Sequence, residues 1–399
     1  IPDYVLQECV QLLDLEWRFA TKGSPTNYVQ SLATNLNTYG DQRPELIVAA
    51  PRRLALSDPT MTSAPRTNGQ LSGDVLQQTQ SLIQNVLQRY LTVDNALITV
   101  MSQDLKGGGF QKEKWYGTEY RIKSIPSSVL QKWKNAPVPS TVQYPKPNVF
   151  LPTEQGLQVK IVPNKKVTAK QMPSPPSIIR QDERWTVHYK ADDRYGQPKA
   201  FCVIELYNTG AFYASARDVA LGMLYVTSVL DRLEESVYDA RLVGLTCDLQ
   251  LLPKGLRVSF GGYNELLPPY VTQVLSQFQS GQLLPQTPKE LDRYQDSLRR
   301  GLEAFDTKQP YAHASYYAYL TLQPPQFQFP NDKIRQAAAT LTLNDLQNFK
   351  VWDRTDYIHG EALIQGNWNE KEALQLMNNV ETTLVSSGYL RFESFGKIP

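Results

Sequence analysis

Three features of the sequence predict an α+β fold. Alternating apolar and polar residues mark strands, most clearly Leu245, Cys247, Leu249 and Leu251 followed by Leu256, Val258 and Phe260. Apolar stripes spaced by three and four residues mark helices, the longest from Ala216 to Ala240. Across 184–399 the order is strand, strand, helix, strand, strand, several helices, strand, helix. That order calls for an antiparallel-rich sheet with helices on one face.

In the first half, Tyr4–Asp14 and Tyr28–Leu36 are predicted helices. Ser57–Gly73, rich in Ser, Thr, Pro, Gly and Asn, is predicted to be a surface insertion. Val75, Leu82, Val86 and Tyr90 give Val75–Leu91 helical spacing. Ala96–Met101 is a short β-rich run expected to be a buried strand, and Gly107–Gly109 breaks the chain after it. Next comes a proline-rich joint with Pro145, Pro147, Pro152, Pro163, Pro173, Pro175 and Pro176. Proline lacks a backbone donor and fixes φ, so this stretch is expected to be extended, with a short strand at Leu157–Val162. The domain boundary falls there: 1–150 forms one part, 151–183 a linker and 184–399 a second domain.

The second half opens with strands at Arg184–Lys190 and Ala200–Tyr207, joined through Asp192-Asp193-Arg194-Tyr195-Gly196. The helix at Ala216–Ala240 carries Val219, Met223, Val226, Leu230, Leu233 and Val237 along one stripe. Pro253-Lys254-Gly255 supplies the turn of the hairpin that follows. Thr287-Pro288-Lys289-Glu290 is a capping box with proline at the first helical position. Its helix runs through Leu291, Tyr294, Leu298, Leu302 and Phe305. Further helices fit Tyr311–Leu322, Lys333–Ala339 and Thr342–Lys350, then a strand at Tyr357–Gln365 and a closing helix at Glu370–Val385.

At about 100–200 residues per domain, 399 residues make two or three domains. Lys and Arg total 41 against 39 Asp and Glu, a formal charge of +2, which excludes the strong positive field of a nucleic-acid binder. Hydrophobic content of 41% with 20% charged residues excludes wholesale disorder. Cys9, Cys202 and Cys247 lie far apart with no C-x-x-C, which argues against a disulfide framework and for a reducing, cytoplasmic setting. No apolar run reaches the roughly 18 residues of a membrane span. The N-terminus, Ile-Pro-Asp-Tyr, has no signal-peptide pattern; lacking an initiating Met and starting close to a helix, it reads as part of something longer.

His188, His313 and His359 are the only histidines, and none is three or four residues from another. H-E-x-x-H and H-x-x-E-H, which put two imidazoles on one helix face beside a water-activating glutamate, are therefore absent. A site built from these distant histidines would need the fold to gather them. Asp231, Glu234, Glu235 and Asp239 are read as a solvated helix face near Arg232 and Arg241, not as a cation site. Lys165-Lys166 and Arg299-Arg300 are too short for nucleic-acid patches, and Gly107-Gly108-Gly109 lacks the P-loop Lys-Ser/Thr. Tyr311, Tyr316, Tyr317 and Tyr319, at helical spacing, are expected at a core edge. No G-x-S-x-G elbow or Cys/His pair occurs. No catalytic, cofactor-binding or metal-ligating residue is assigned.

Glu113-Lys114-Trp115-Tyr116-Gly117-Thr118-Glu119-Tyr120 resembles the segment that closes the second domain of the insulinase (pitrilysin-type) zinc metallopeptidases. Gln7-Glu8-Cys9, Trp17-Arg18-Phe19 and Pro25 with Tyr28 resemble an earlier region of that domain. Asn148 and Phe150 with Leu151-Pro152-Thr153 resemble the start of the linker between the halves of such enzymes. Tyr189-Lys190-Ala191-Asp192-Asp193 and Pro198-Lys199-Ala200 resemble the opening hairpin of the third domain. Leu245 with Leu249, Gly262-Tyr263-Asn264, Gln309-Pro310 with His313-Ala314 and Tyr316-Tyr317, and His359-Gly360-Glu361-Ala362-Leu363 with Gly366-Asn367 continue the likeness in order.

The resemblance implies a partial second domain, the linker and a complete third domain. In the family, the zinc motif lies in the first domain and carbonyl-binding Arg and Tyr residues in the fourth. Leu221-Gly222-Met223-Leu224-Tyr225 stands where the first domain has its zinc motif, so this chain would be a non-catalytic central segment forming part of a chamber wall. Thr21, Ser24 and Thr26 stand where some members carry an acidic and arginine-rich turn that contacts the other half and binds anions. Zinc would belong to the intact parent; its partners would be peptides, the first and fourth domains and, in one arrangement, a second copy, with neither nucleic acid nor membrane. The alternative is a stand-alone inactive binding or scaffold relative paired with an active subunit. A sheet missing its first strands leaves exposed edges and apolar surface. Residues 1–150 are accordingly expected to exchange amide hydrogens faster than 184–399; equal protection throughout would contradict this.

Overall fold

The computed structural model describes residues 1–20, 23–40, 44–49, 66–67, 70–71, 73–161, 174–208, 213–278, 282–349 and 358–386. They fall into two compact units, Ile1–Pro147 and Asn148–Pro399.

The first unit is built around helices α1 (Asp3–Arg18), α2 (Pro25–Tyr39), α3 (Glu45–Ala49) and α4 (Gly73–Tyr90). Leu6 and Val10, one turn apart on α1, form its core with Leu76 of α4, flanked by Val75 and Ile83. Proline at the first turn of α2 costs nothing, because that N–H has no helical partner. Two-residue strands β1 (Arg66–Thr67) and β2 (Gln70–Leu71) pair within the expected insertion, most of which lies outside the described residues. β3 (Gln111–Lys112) and β4 (Glu119–Tyr120) form a hairpin, and α5 (Ser127–Lys134) follows. At the hairpin tip the Glu113 carboxylate accepts the Trp115 and Tyr116 N–H groups, both at 2.7 Å. Ala96–Met101 does not form the expected buried strand. It has no pairing partner among the described residues, and Leu97 and Met101 are both 91% exposed. Its apolar residues would occupy both faces of a strand, a pattern that needs a sheet on either side.

The second unit carries a six-stranded sheet of β5 (Ser177–Gln181), β6 (Trp185–Ala191), β7 (Lys199–Asn208), β8 (Thr246–Leu252), β9 (Gly255–Tyr263) and β10 (Ile358–Gly366). Its order is β5-β6-β10-β7-β9-β8, antiparallel except where β10 runs parallel to β6. β5 lies in the segment read as linker; its Ile178 and Ile179 sit among prolines that mask the strand pattern. Ala200, Cys202, Ile204 and Leu206 alternate on the buried side of β7, with Val258 and Phe260 of β9 and Ala362 and Ile364 of β10 beside them. Helices α6 (Ala216–Leu242), α7 (Leu267–Gln277) and α12 (Glu370–Ser386) pack on that side. Leu275 of α7 and Leu384 of α12 share a small apolar cavity with Ile204, Leu206, Leu249 and Val258. α8 (Pro288–Glu303), α9 (Pro310–Leu322), α10 (Asn331–Ala338) and α11 (Leu343–Gln347) complete the unit.

Gly360 is required where β10 meets β6, because a Cβ there would stand 2.2 Å from the buried Trp185 ring. Asn367, just past β10, is fully buried and acts as a clasp. Its Oδ1 accepts the backbone N–H groups of Lys160 (2.7 Å) and Ile161 (3.1 Å), and its Nδ2 donates to Gln158 O at 2.9 Å. The strand expected from Leu157 is therefore not formed over the described residues 157–161, where those backbone groups turn to a side chain instead. The same segment is held by Phe150, edge-on to Tyr270 at 5.9 Å, and by Thr153, whose N–H and hydroxyl both donate to Glu265.

Part of the acidic cluster on α6 is not simply solvated. Asp231 accepts from Arg293 (2.6 Å) and the Tyr294 hydroxyl (2.7 Å) of α8, and Arg232 pairs with Glu290 at 2.6 Å. The expected capping box at Thr287 appears in part, with the Thr287 side chain accepting the Glu290 N–H.

Asn367→Ala would leave two N–H groups and a carbonyl without their partner. At about 1–3 kcal/mol for each buried group left unpaired, it is expected to lower unfolding free energy measurably in urea titration; an unchanged midpoint would refute the clasp. The Tyr294 hydroxyl, with Arg293, holds the Asp231 carboxyl below its ordinary range. That contribution is present at neutral pH and is lost as pH falls through the depressed folded value. Asp231→Asn should therefore melt below wild type at pH 7, with the gap closing below about pH 4.

Candidate functional site

On α6, Leu221, Gly222, Leu224 and Tyr225 are buried. A Cβ on Gly222 would stand 2.7 Å from the Leu251 side chain of β8, so glycine lets helix and sheet approach here. Tyr225 lies 5.7 Å from the Phe349 ring. The stretch that stands in place of a zinc motif is thus filled by packing and presents no nitrogen or carboxylate ligand to a metal.

The side of the sheet opposite the helices carries polar side chains, which the two-residue period of β-strands aligns into rows. His188 of β6 meets Glu361 of β10, Nε2 to Oε1 at 3.1 Å. Glu361 is in direct register with Glu205 of β7, an opposition of like charges that needs compensation. It is supplied by Arg257 of β9, whose Nε donates to Glu205 at 2.6 Å, and by the Tyr207 hydroxyl, which donates to the same carboxylate. Burial, then the Glu205 and Glu361 carboxylates, pushes the Tyr207 hydroxyl well above the ordinary phenol value. Arg257 also reaches Gln250 of β8 at 3.4 Å. The row joins β6, β10, β7, β9 and β8 in one polar network. Local spacing does not reveal it: His188 and Glu361 are 173 residues apart, Glu205 and Arg257 52.

The three histidines do not converge. His359 turns to the Thr186 hydroxyl at 3.3 Å, and His313 stacks on Phe305 with ring centroids 4.4 Å apart. Among the described residues no group of three or more His, Cys, Asp or Glu is placed to hold a metal ion. These residues do not fit zinc. Burial pushes the Cys202 and Cys247 thiols up to about 12, which disfavours the nucleophilic thiolate. Arg299 and Arg300 are engaged by Asp296 and Glu303, while Lys165-Lys166 and Thr21 lie outside the described residues. Of the tyrosines expected at a core edge, Tyr316 hydrogen-bonds Asn331 at 3.1 Å, whereas Tyr311, Tyr317 and Tyr319 are exposed. α9 is apolar around its circumference, so spacing alone does not choose a buried side. The polar sheet face therefore offers paired donors and acceptors suited to hydrogen-bonding a polypeptide.

No helix among the described residues is long and apolar enough to cross a membrane. A family profile described as the middle or third domain of peptidase M16 matches residues 17–336. The chain is 27% identical to insulin-degrading enzyme of Homo sapiens over 389 residues, covering 98% of this chain and 34% of that protein. It is 25% identical to a nardilysin-like protein of Arabidopsis thaliana (96% of this chain, 34% of that one). A-factor-processing enzyme of Saccharomyces cerevisiae is also 25% identical, over 97% of this chain and 35% of its own length. The crystal structure of pitrilysin shares the fold, with a TM-score of 0.63 at 17% identity over 97% of this chain and 36% of that one. The chain thus spans about a third of the length of these relatives. It belongs to the M16 family of insulinase and pitrilysin-type peptidases, whose middle or third domain it matches.

Proposed function

We propose that the chain is the non-catalytic central segment of a zinc metalloendopeptidase similar to insulin-degrading enzyme. Residues 1–150 would be the later part of its second domain, 151–183 the linker and 184–399 the third domain. One observation carries this reading: Leu221–Tyr225 on α6, in the place of a zinc motif, is committed to packing against Leu251 and Phe349. The metal and the water it activates would then be held by parts of the parent outside this chain, and no chemical step is assigned to residues here.

The contribution of this chain would be to wall a chamber that admits short or unfolded peptides by volume. The polar network from His188 to Arg257 supports that role, because its groups satisfy one another and need no fixed partner to remain folded. An extended peptide could exchange hydrogen bonds with such a face without demanding a particular sequence. Three free cysteines, of which Cys202 is buried, are compatible with a reducing cytoplasmic setting.

The test is peptide hydrolysis by the purified chain, with and without o-phenanthroline. The chain is expected to leave a fluorogenic peptide intact under both conditions, while the intact parent turns it over in a chelator-sensitive way. Chelator-sensitive turnover by the chain alone would overturn the reading.

A further inference from the structure

We infer that Leu97–Met101 is an interaction surface for another β-strand: it becomes an inner strand of a sheet by pairing with strands of the parent that lie before Ile1. Leu97, Ile98, Val100 and Met101 are all exposed. Their successive positions would point to both faces of a strand, and apolar side chains on both faces are the mark of a strand covered above and below. Among the described residues, no backbone N–H or carbonyl of Leu97–Met101 makes a hydrogen bond. A chain with a full row of free donors and acceptors and β-branched side chains is a template for strand addition.

A second observation describes the missing layer. On α4, Leu82, Val86 and Tyr90 follow one another at a spacing of four and are exposed; on α2, no residue is buried, and Tyr28, Val29 and Leu36 are exposed. An apolar helix stripe is stable when another element covers it. In the second unit of this same chain, stripes of that kind on α6, α7 and α12 are covered by the sheet. The first unit has helices and one strand-forming segment, but its described strands are only two residues long. The partner chemistry is therefore specific: extended segments with an apolar row on at least one face, not a nucleic acid or a charged ligand.

The relatives are about three times the length of this chain, which covers 34% of insulin-degrading enzyme of Homo sapiens, so the parent has ample sequence to supply such strands. The choice of segments before Ile1, rather than a second copy, rests on the reading of 1–150 as the later part of a domain.

Hydrogen exchange read at Leu97–Met101, in the purified chain and in the intact parent, tests the inference. The amides should exchange freely in the chain and be slowed by roughly a hundredfold or more in the parent. Val100→Pro removes a donor; it should leave the melting temperature of the chain unchanged and lower that of the parent. Unprotected Leu97–Met101 amides in a parent with zinc-dependent activity would overturn this inference and leave the proposed function standing. Protection that rises with concentration of the chain alone would assign the surface to a second copy and overturn it too. A parent found to have no sequence before Ile1 would overturn both.

Discussion

Strand β10 is the element on which the second unit depends. It lies between β6 and β7 although it follows them by more than a hundred residues in the chain, so the sheet stays divided until it inserts. Its parallel register with β6 is fixed where Gly360 passes under Trp185, and its antiparallel register with β7 sets Glu361 opposite Glu205. The residue after it, Asn367, then ties Gln158, Lys160 and Ile161 to the end of the sheet. One strand thereby determines the core, the polar network and the docking of the segment that leads into the unit. Pairings of such sequence separation incur their loop-closure cost before they return any contact energy.

The two sides of that sheet have different tasks. The helix side is apolar and closely packed; there α6 gives up the room that a metal site would need, with Gly222 against Leu251 and Tyr225 near Phe349. The opposite side holds charges in a row where each has a counterpart. Glu205 and Glu361 face each other only because Arg257, Tyr207 and His188 flank them. A face of this kind is stable in water yet able to trade hydrogen bonds, which suits a wall better than a catalytic centre.

Much of the third-domain fold was legible because its signals are local. The stripe of α6 and the alternation on either side of Pro253-Lys254-Gly255 each follow from one segment's own periodicity. β5 was hidden among prolines, and α5, with a single turn of apolar residues at Val129, Leu130 and Trp133, gave little signal. Ala96–Met101 has strand-like residues without neighbours to pair with, so propensity alone misjudged its burial. The candidate site was legible only in part. The absence of a zinc motif is written in the spacing of three histidines, whereas the polar network depends on register between distant strands and is set by β10. The pairing of Asp231 with α8 escaped for the same reason.

The central claim is that water-activating metal chemistry is supplied from outside these residues. The most direct measurement is anomalous diffraction at the zinc edge from crystals of the intact parent. The account predicts a single strong peak on ligands that are not part of this chain, with none within bonding distance of His188, His313 or His359. A peak on any of those three side chains would contradict it.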